Sequence, residues 1–407
     1  MRQSCLWIIT LLMLGCAPQP SAESTLDFNS GEHVILGDLG YRTACDTAGS
    51  CAPRIVRADG QMSFTYGELV AFSGDFYATP EDIYLEKVEP LWKWHRNDPH
   101  DVKKLFQKEV ETIENFLHGH SDEAYPDFSL AFAWNYPDYL SLVLANESHF
   151  GFYNMLAYVK YHSRALALAL QAHDHAATNP VRARTLFTQA LFVNGFADHF
   201  LTDGFAAGHV RAPRAQILKW AGFVQLNERA AGTLAKVIHD SDGEVRESGE
   251  HGLNVRNARG DRWLTRCDAQ LFWENSLVDP AIQLPAQAVA ASVREILDAY
   301  EHGTTIAGVF AATELVPFPA AGERPLIEIL PADMPDAAYD AIIRQMPFYM
   351  QIKVFSGVDK NVLKQLTAAL PGIMQDFRRD VEVAIDQHPE LSQRLPQAYQ
   401  DAYRLIE

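Results

Sequence analysis

Asn194-Gly195-Phe196-Ala197-Asp198-His199-Phe200-Leu201-Thr202-Asp203-Gly204-Phe205-Ala206-Ala207-Gly208-His209, closed by Pro213, is the stretch from which the chain is best read. It ends a segment, 181–203, whose apolar residues recur with helical periodicity. His199 and Asp203, four residues apart, therefore share one helix face and can converge on one cation. His209 stands six residues beyond Asp203 and cannot share that face on a straight helix. Gly204 and Gly208 allow the helix to end or bend, so that His209 turns toward the same centre. Gly195, one turn before His199, leaves space for close backbone or metal approach. An imidazole and a carboxylate at this spacing form an oxygen/nitrogen half-site for zinc, which a further His extends to a cluster. The plainer alternative is a His–Asp hydrogen bond satisfied inside a core.

Outward from this stretch the texture stays helical. Segments 81–95, 101–118, 138–148, 153–172, 213–238 and 280–312 share the period, and a last helical block runs from about Asp336 to Ile406 with breaks near Gly357 and Pro371. The expected fold class is all-α, a multi-helix bundle with an irregular N-terminal region over 31–80, containing one or two short strands, and a helical C-terminal extension over 320–407. A polar loop is expected over 240–262, where Asp, Gly, Arg, Glu and Asn cluster. The main helical domain spans 31–312, and no internal repeat is found.

The chain has 407 residues, enough for one large domain or two ordinary ones. With 48% apolar and 21% charged residues it falls in the globular range, which excludes disorder for most of its length. Its 34 Lys+Arg against 52 Asp+Glu give a net charge of -18, unfavourable for gripping double-stranded nucleic acid through a cationic face. Residues 1–15 read as a secretory signal: Met1-Arg2, the apolar run Leu6 to Leu14, then Gly15. Met13-Leu14-Gly15-Cys16 resembles a bacterial lipobox, in which Cys16 would carry lipid and 16–30 would tether the folded body to a membrane; a plain secretory signal or an uncleaved anchor is the alternative. The implied address is the periplasm or cell envelope. In such a compartment Cys45 and Cys51 can form a small bridge, leaving Cys267 as a buried thiol. No CxxC pair offers thiolates, so any metal is held by His and carboxylates.

The pattern HxxxDxxxxxH, His199-Asp203-His209, resembles the signature helix of the zinc-dependent phospholipases C and their relatives, the single-strand-specific zinc nucleases. The resemblance implies a mainly helical fold of that type and a cluster of two or three zinc ions, with Asp203 bridging two of them and His199 and His209 serving different ones. Ser148-His149-Phe150 resembles the family's Ser-His-Phe ligand loop, which makes His149 a ligand. Asn29-Ser30-Gly31-Glu32-His33 is similar to an early ligand segment and implies His33. The run Tyr66 to Tyr77 is similar to the segment that supplies an Asp before a Tyr and implies Asp75, as ligand or as base for the attacking water; Asp138 is the rival, and a turn residue the bland alternative for Asp75. Downstream, the resemblance implies a His and an acid four residues later. His239 fits, but position 243 is Gly, so Asp242 is the nearest acid able to reach the same side. The family's N-terminal Trp ligand has no counterpart here. Glu32 or Asp38 would replace it, or the third ion is absent.

What the resemblance implies functionally is hydrolysis of a phosphodiester by metal-activated water, on a phospholipid. The alternatives are a single-strand-specific nuclease, and a non-catalytic helical lipoprotein with structural zinc. Neither a Gly-x-Ser-x-Gly elbow nor a P-loop competes with this chemistry. Asp198 and Thr202 are candidates to orient ligand rings. His162 reads as a core histidine, and His95, His100, His118 and His120 as solvated. Trp134, Tyr136, Tyr139, Phe150, Phe152 and Tyr153 read as core packing, with an aromatic shelter for a choline-like cation as the alternative.

Overall fold

The computed structural model describes residues 30–46, 51–85, 99–118, 128, 131–132, 136, 139, 142–143, 146–242, 252–268, 270–272, 277–346, 351 and 353–406. The signal segment, Cys16, His95, His120, Trp134 and Asp138 lie outside them. The fold is mainly helical, with two small antiparallel sheets among the described residues. In chain order the principal elements are α1 (Ser30–Cys45), β1 (Ile55–Val56), β2 (Ser63–Phe64), α2 (Tyr66–Phe72) and α3 (Pro99–Leu117). There follow α4 (Phe152–Ala176), α5 (Pro180–Asp203), α6 (Ala207–Arg211), α7 (Arg214–Phe223) and α8 (Glu228–Ser241). The chain closes with β3 (Leu253–Arg256), β4 (Arg262–Thr265), α9 (Pro280–His302), β5 (Phe318–Pro319), α10 (Asp336–Gln345), α11 (Lys360–Gln387) and α12 (Gln397–Arg404).

At the centre, α4 and α5 form a hairpin of long helices across the link 177–179. Asn179 starts α5 by accepting the Arg182 N–H, and Pro180 occupies the first turn, where its missing donor costs nothing. The end of α5 is fully buried from Ala190 to Asp203, so its polar residues Asn194, Asp198, His199, Thr202 and Asp203 face neighbours and not water. α9 lies against α4, α5 and α1, and α2 closes on α5. One continuous apolar cluster runs from Val34 to Ile406, so the C-terminal block shares the core of the rest.

Several boundaries differ from the sequence reading. Residues 31–80 are not irregular: Ser30–Cys45 is a helix despite its glycines, and Thr65 with Glu68 forms a capping box that starts α2. The expected strands are there, as the hairpin pairing Ile55 with Phe64. The segment 213–238 is two helices, parted where Gln225 takes a positive φ. The polar loop contains the β3–β4 hairpin, and the 280–312 helix stops at His302, where Gly303 adopts the left-handed cap. Pro371 does not break α11. The helix continues through it from Lys360 to Gln387, with Pro371 and Gly372 on its exposed side. Cys45 and Cys51 form a disulfide, and Cys267 is a buried thiol. Among the described residues no helix is long and apolar enough to cross a membrane.

Candidate metal centre

Seven segments deliver polar side chains to one buried place. α1 brings His33, and the turn after α2 brings Asp75. The 3-10 turn Glu147–His149 brings His149, α5 brings His199 and Asp203, α6 brings His209, and α8 brings His239 near its end. Asp268 arrives from the strand side, three residues past β4. None of these eight is more than 3% exposed. Their ligand atoms fall into three groups that could each hold a metal ion: His33 with His199 and Asp203; Asp75 with His149 and His199; and His209 with His239 and Asp268.

Asp203 stands between them. Its Oδ1 lies 3.5 Å from His33 Nε2 and 3.9 Å from His209 Nδ1, while Oδ2 lies 2.9 Å from His149 Nδ1 and 3.6 Å from His199 Nε2. His199 Nε2 is also 3.2 Å from His149 Nδ1 and 4.0 Å from Asp75 Oδ2. In the remaining group Asp268 Oδ2 approaches His239 Nε2 at 2.7 Å and His209 Nε2 at 3.5 Å.

The residues fit a cation on two observations. First, a nitrogen of four of the rings is committed to an oxygen outside the groups. Nδ1 of His33 donates to Thr202 Oγ1 at 2.8 Å, that of His199 to the Val70 carbonyl at 3.1 Å, and that of His209 to the His149 carbonyl at 2.9 Å. Nδ1 of His239 donates to Asp240 Oδ1 at 2.9 Å. Thr202 is fixed as acceptor for His33 because its own hydroxyl donates to backbone carbonyls of α5. Neutral rings held this way present an Nε2 lone pair inward, the way outer partners orient ligating imidazoles. Second, both buried oxygens of Asp268 and Nε2 of His239 lack hydrogen-bond geometry despite the 2.7 Å approach. Buried polar atoms converging without a hydrogen bond suit a shared divalent ion.

Electrostatics divide the groups. Burial and the adjacent His199 imidazole hold His33 well below the usual histidine range, and burial with His149 does the same for His199. Burial also opposes charge on His239, yet the Asp268 carboxylate and then Asp240 outweigh it and push the ring up to about 10. His209 is raised likewise by Asp268 and Asp203 against its burial. Asp268, although buried, is held far below the carboxylate range by His239 and His209. Metal entering the His239 group at neutral pH must therefore displace a proton, whereas His33 and His199 are already neutral. Calorimetric metal titrations in buffers of different ionisation enthalpy should show proton release on loading. Binding at the His239 group should strengthen as pH rises toward about 10, while binding through His33 and His199 should already be level below the ordinary histidine pKa of ~6.5.

Seven of the eight expected ligands, His33, Asp75, His149, His199, Asp203, His209 and His239, are thus brought together. Asp242 is not. It caps α8, and its carboxylate is gripped bidentately by the buried Arg211, at 2.7 Å from Nη2 and 3.0 Å from Nε, while Arg211 Nη1 donates to the Arg324 carbonyl. The pair fastens the end of α6 to the end of α8. Asp242→Ala should cost about 3–5 kcal/mol in urea unfolding because it strands a buried guanidinium, whereas Arg211→Met with Asp242→Leu should recover most of it. The missed residue is Asp268. It stands in a stretch, Trp263 to Phe272, that mixes apolar residues with Thr265, Arg266 and Gln270, and carries no ligand spacing that would single it out.

The two substitutes considered for the N-terminal ligand are used elsewhere: Glu32 Oε1 accepts the Leu271 N–H at 3.1 Å, and Asp38 Oδ1 the Gly67 N–H at 2.7 Å. Thr202 orients His33, but Asp198 turns away from the rings, accepting from Tyr66, Asn194 and Ser292. Burial raises Asp198 to about 7. Gly195 makes room for Leu69 of α2 and not for a ligand. His162 is a core residue held by Asn194 and Glu295, and His100 and His118 are exposed. The described aromatics pack inward. Phe150 stacks on His209 at 4.3 Å and carries the Arg214 guanidinium at 4.9 Å, while Tyr136 and Tyr139 pack on Phe76. Comparison with models of protein families finds no match, and no curated protein or solved structure matches the chain.

Proposed function

We propose that the chain is a zinc-dependent phosphoric diester hydrolase acting on phospholipid, which it cleaves on the diacylglycerol side of the phosphate. The observation that carries this reading is the carboxylate of Asp203, whose two oxygens face different histidines, beside a further His209–His239–Asp268 group. That arrangement agrees with what the likeness of His199-Asp203-His209 and Ser148-His149-Phe150 to the zinc phospholipases C and single-strand-specific nucleases implies. The donors are imidazoles and carboxylates, a set that suits zinc. Zinc bound there would supply an acidified water near neutral pH and neutralise charge on the phosphate.

The chain's own residues then have separate tasks. His33, His149, His199 and Asp203 would hold the ions with His209, His239 and Asp268. Val70, Thr202, Asp240 and the His149 carbonyl fix the ring orientations. Asp75, whose Oδ2 lies 4.0 Å from His199 Nε2, would accept a proton from the attacking water. The net charge of -18 disfavours a long polyanion, and the N-terminal signal with Cys16 favours an envelope location beside lipid.

The burial of all eight side chains, none above 3%, favours a second reading, a structural metal closed off by protein. The test is release of phosphorylated headgroup from phosphatidylcholine vesicles alongside digestion of single-stranded DNA by the purified protein. Headgroup release with intact DNA is expected. DNA digestion alone would reassign the chain as a nuclease, and bound zinc with neither activity would select the structural reading.

A further inference from the structure

Among the described residues the C-terminal block contributes none to the three groups, yet it grips the two segments that present His149 and His209. Those segments are already tied to each other: His209 Nδ1 donates to the His149 carbonyl at 2.9 Å, and the Gly151 N–H donates back to the His209 carbonyl at 2.7 Å. Gly151 has φ +60, and a Cβ there would lie 2.6 Å from Phe377 Cζ, so the α11 ring is seated directly on the ligand loop's backbone. On the other side of the bridge the Tyr403 hydroxyl of α12 donates to the carbonyl of Val210, the residue after His209. Phe152 packs on Tyr403 and Tyr399, and Gln216 at the start of α7 is bonded to Asp380 at 3.1 Å. Phe377 and Tyr403 are both buried and lie against each other.

We infer that Phe377 and Tyr403 are positioning residues that clamp the His149 loop to the His209 turn and so set the metal affinity of the centre. The inference rests on the centre holding metal. Outer partners of this kind matter because a ligand ring free to swing spends part of its binding free energy on being ordered, and their removal lowers metal affinity by about 10–100-fold. A block packed only for stability would carry no such dependence.

The test uses the full-length protein and compares two deletions of a buried tyrosine hydroxyl. Tyr403→Phe removes the bond to Val210. Tyr339→Phe removes the equally buried bond from Tyr339 to Thr367 Oγ1, 2.8 Å long and made between α10 and α11 away from both ligand segments. Zinc affinity is read by competition with a chromophoric chelator, and thermal unfolding of the metal-free protein is followed in parallel. The expected result is a loss of about tenfold or more in zinc affinity for Tyr403→Phe and none for Tyr339→Phe, at similar metal-free stability. Phe377→Leu, which keeps the core filled and should fold where the tyrosine variant fails to, is expected to weaken zinc binding in the same way. Unchanged affinity in Tyr403→Phe and Phe377→Leu, or equal losses in Tyr403→Phe and Tyr339→Phe, overturns the inference. A wild-type protein that binds no zinc would instead overturn the reading of the centre on which it rests.

Discussion

Asp203→Asn should strip metal from the part of the centre that it faces and abolish hydrolysis, while the chain stays folded. One carboxylate meets His33 and His209 through Oδ1 and His149 and His199 through Oδ2. Asparagine keeps the shape but replaces one of those oxygens by a donor, which repels a cation and cannot balance its charge. Loss of an outer partner already costs about 10–100-fold in metal affinity, so loss of a shared ligand should exceed about 100-fold. His209, His239 and Asp268 form a group without Asp203, so residual metal should reside there. Elemental analysis of wild type and variant side by side measures this. An Asp203→Asn protein with undiminished metal content would remove Asp203 from the centre.

Gly208→Ala should be nearly as damaging, although glycine carries no ligand. A Cβ at position 208 would stand 2.2 Å from His239 Cδ2, closer than packed atoms tolerate. His239 cannot yield cheaply, because Nδ1 is held by Asp240 and Nε2 lies against Asp268. Overpacking of this kind costs about 1–3 kcal/mol in stability. The expected signature is loss of metal from the His239 group together with a lowered melting temperature. The analogous Gly74→Ala would press on His149 and His199, each 2.7 Å from the added Cβ, at a φ of +75 that alanine adopts with strain. A Gly208→Ala protein with full metal content and wild-type melting would show that His239 is placed with more slack than the contacts describe.

The helical fold and the His199–Asp203 pair of the centre were legible because both follow from short-range rules, whereas His33, His149, Asp75 and His239 came from the resemblance of their flanking residues. The period of 181–203 fixes His199 and Asp203 on one face, and Asn179-Pro180 and Gly204 mark where that helix starts and stops. Ligands that come from turns, His149 and Asp75, could be chosen only through the resemblance of their flanking residues, since no periodicity fixes where a turn points. Asp268 was out of reach for the same reason: it joins His239 through a β-hairpin and long-range packing, and spacing along a helix carries no information about that. Asp242, three residues after His239 and not the implied four, was the nearest acid on that side, but it has another partner. The guanidinium of Arg211, drawn in from α6, satisfies it more fully than a place in the cluster would. The extra helix at 30–45 was obscured by its three glycines, whose weak local preference is overridden by packing against α9 and α2.

Metal content of the protein purified without added chelator, determined per chain by mass spectrometry of the elements, addresses the convergence of these side chains most directly. The account predicts two or three equivalents of a divalent ion, zinc foremost, falling in the Asp203→Asn variant. A folded wild-type protein carrying less than one equivalent after incubation with zinc would contradict it.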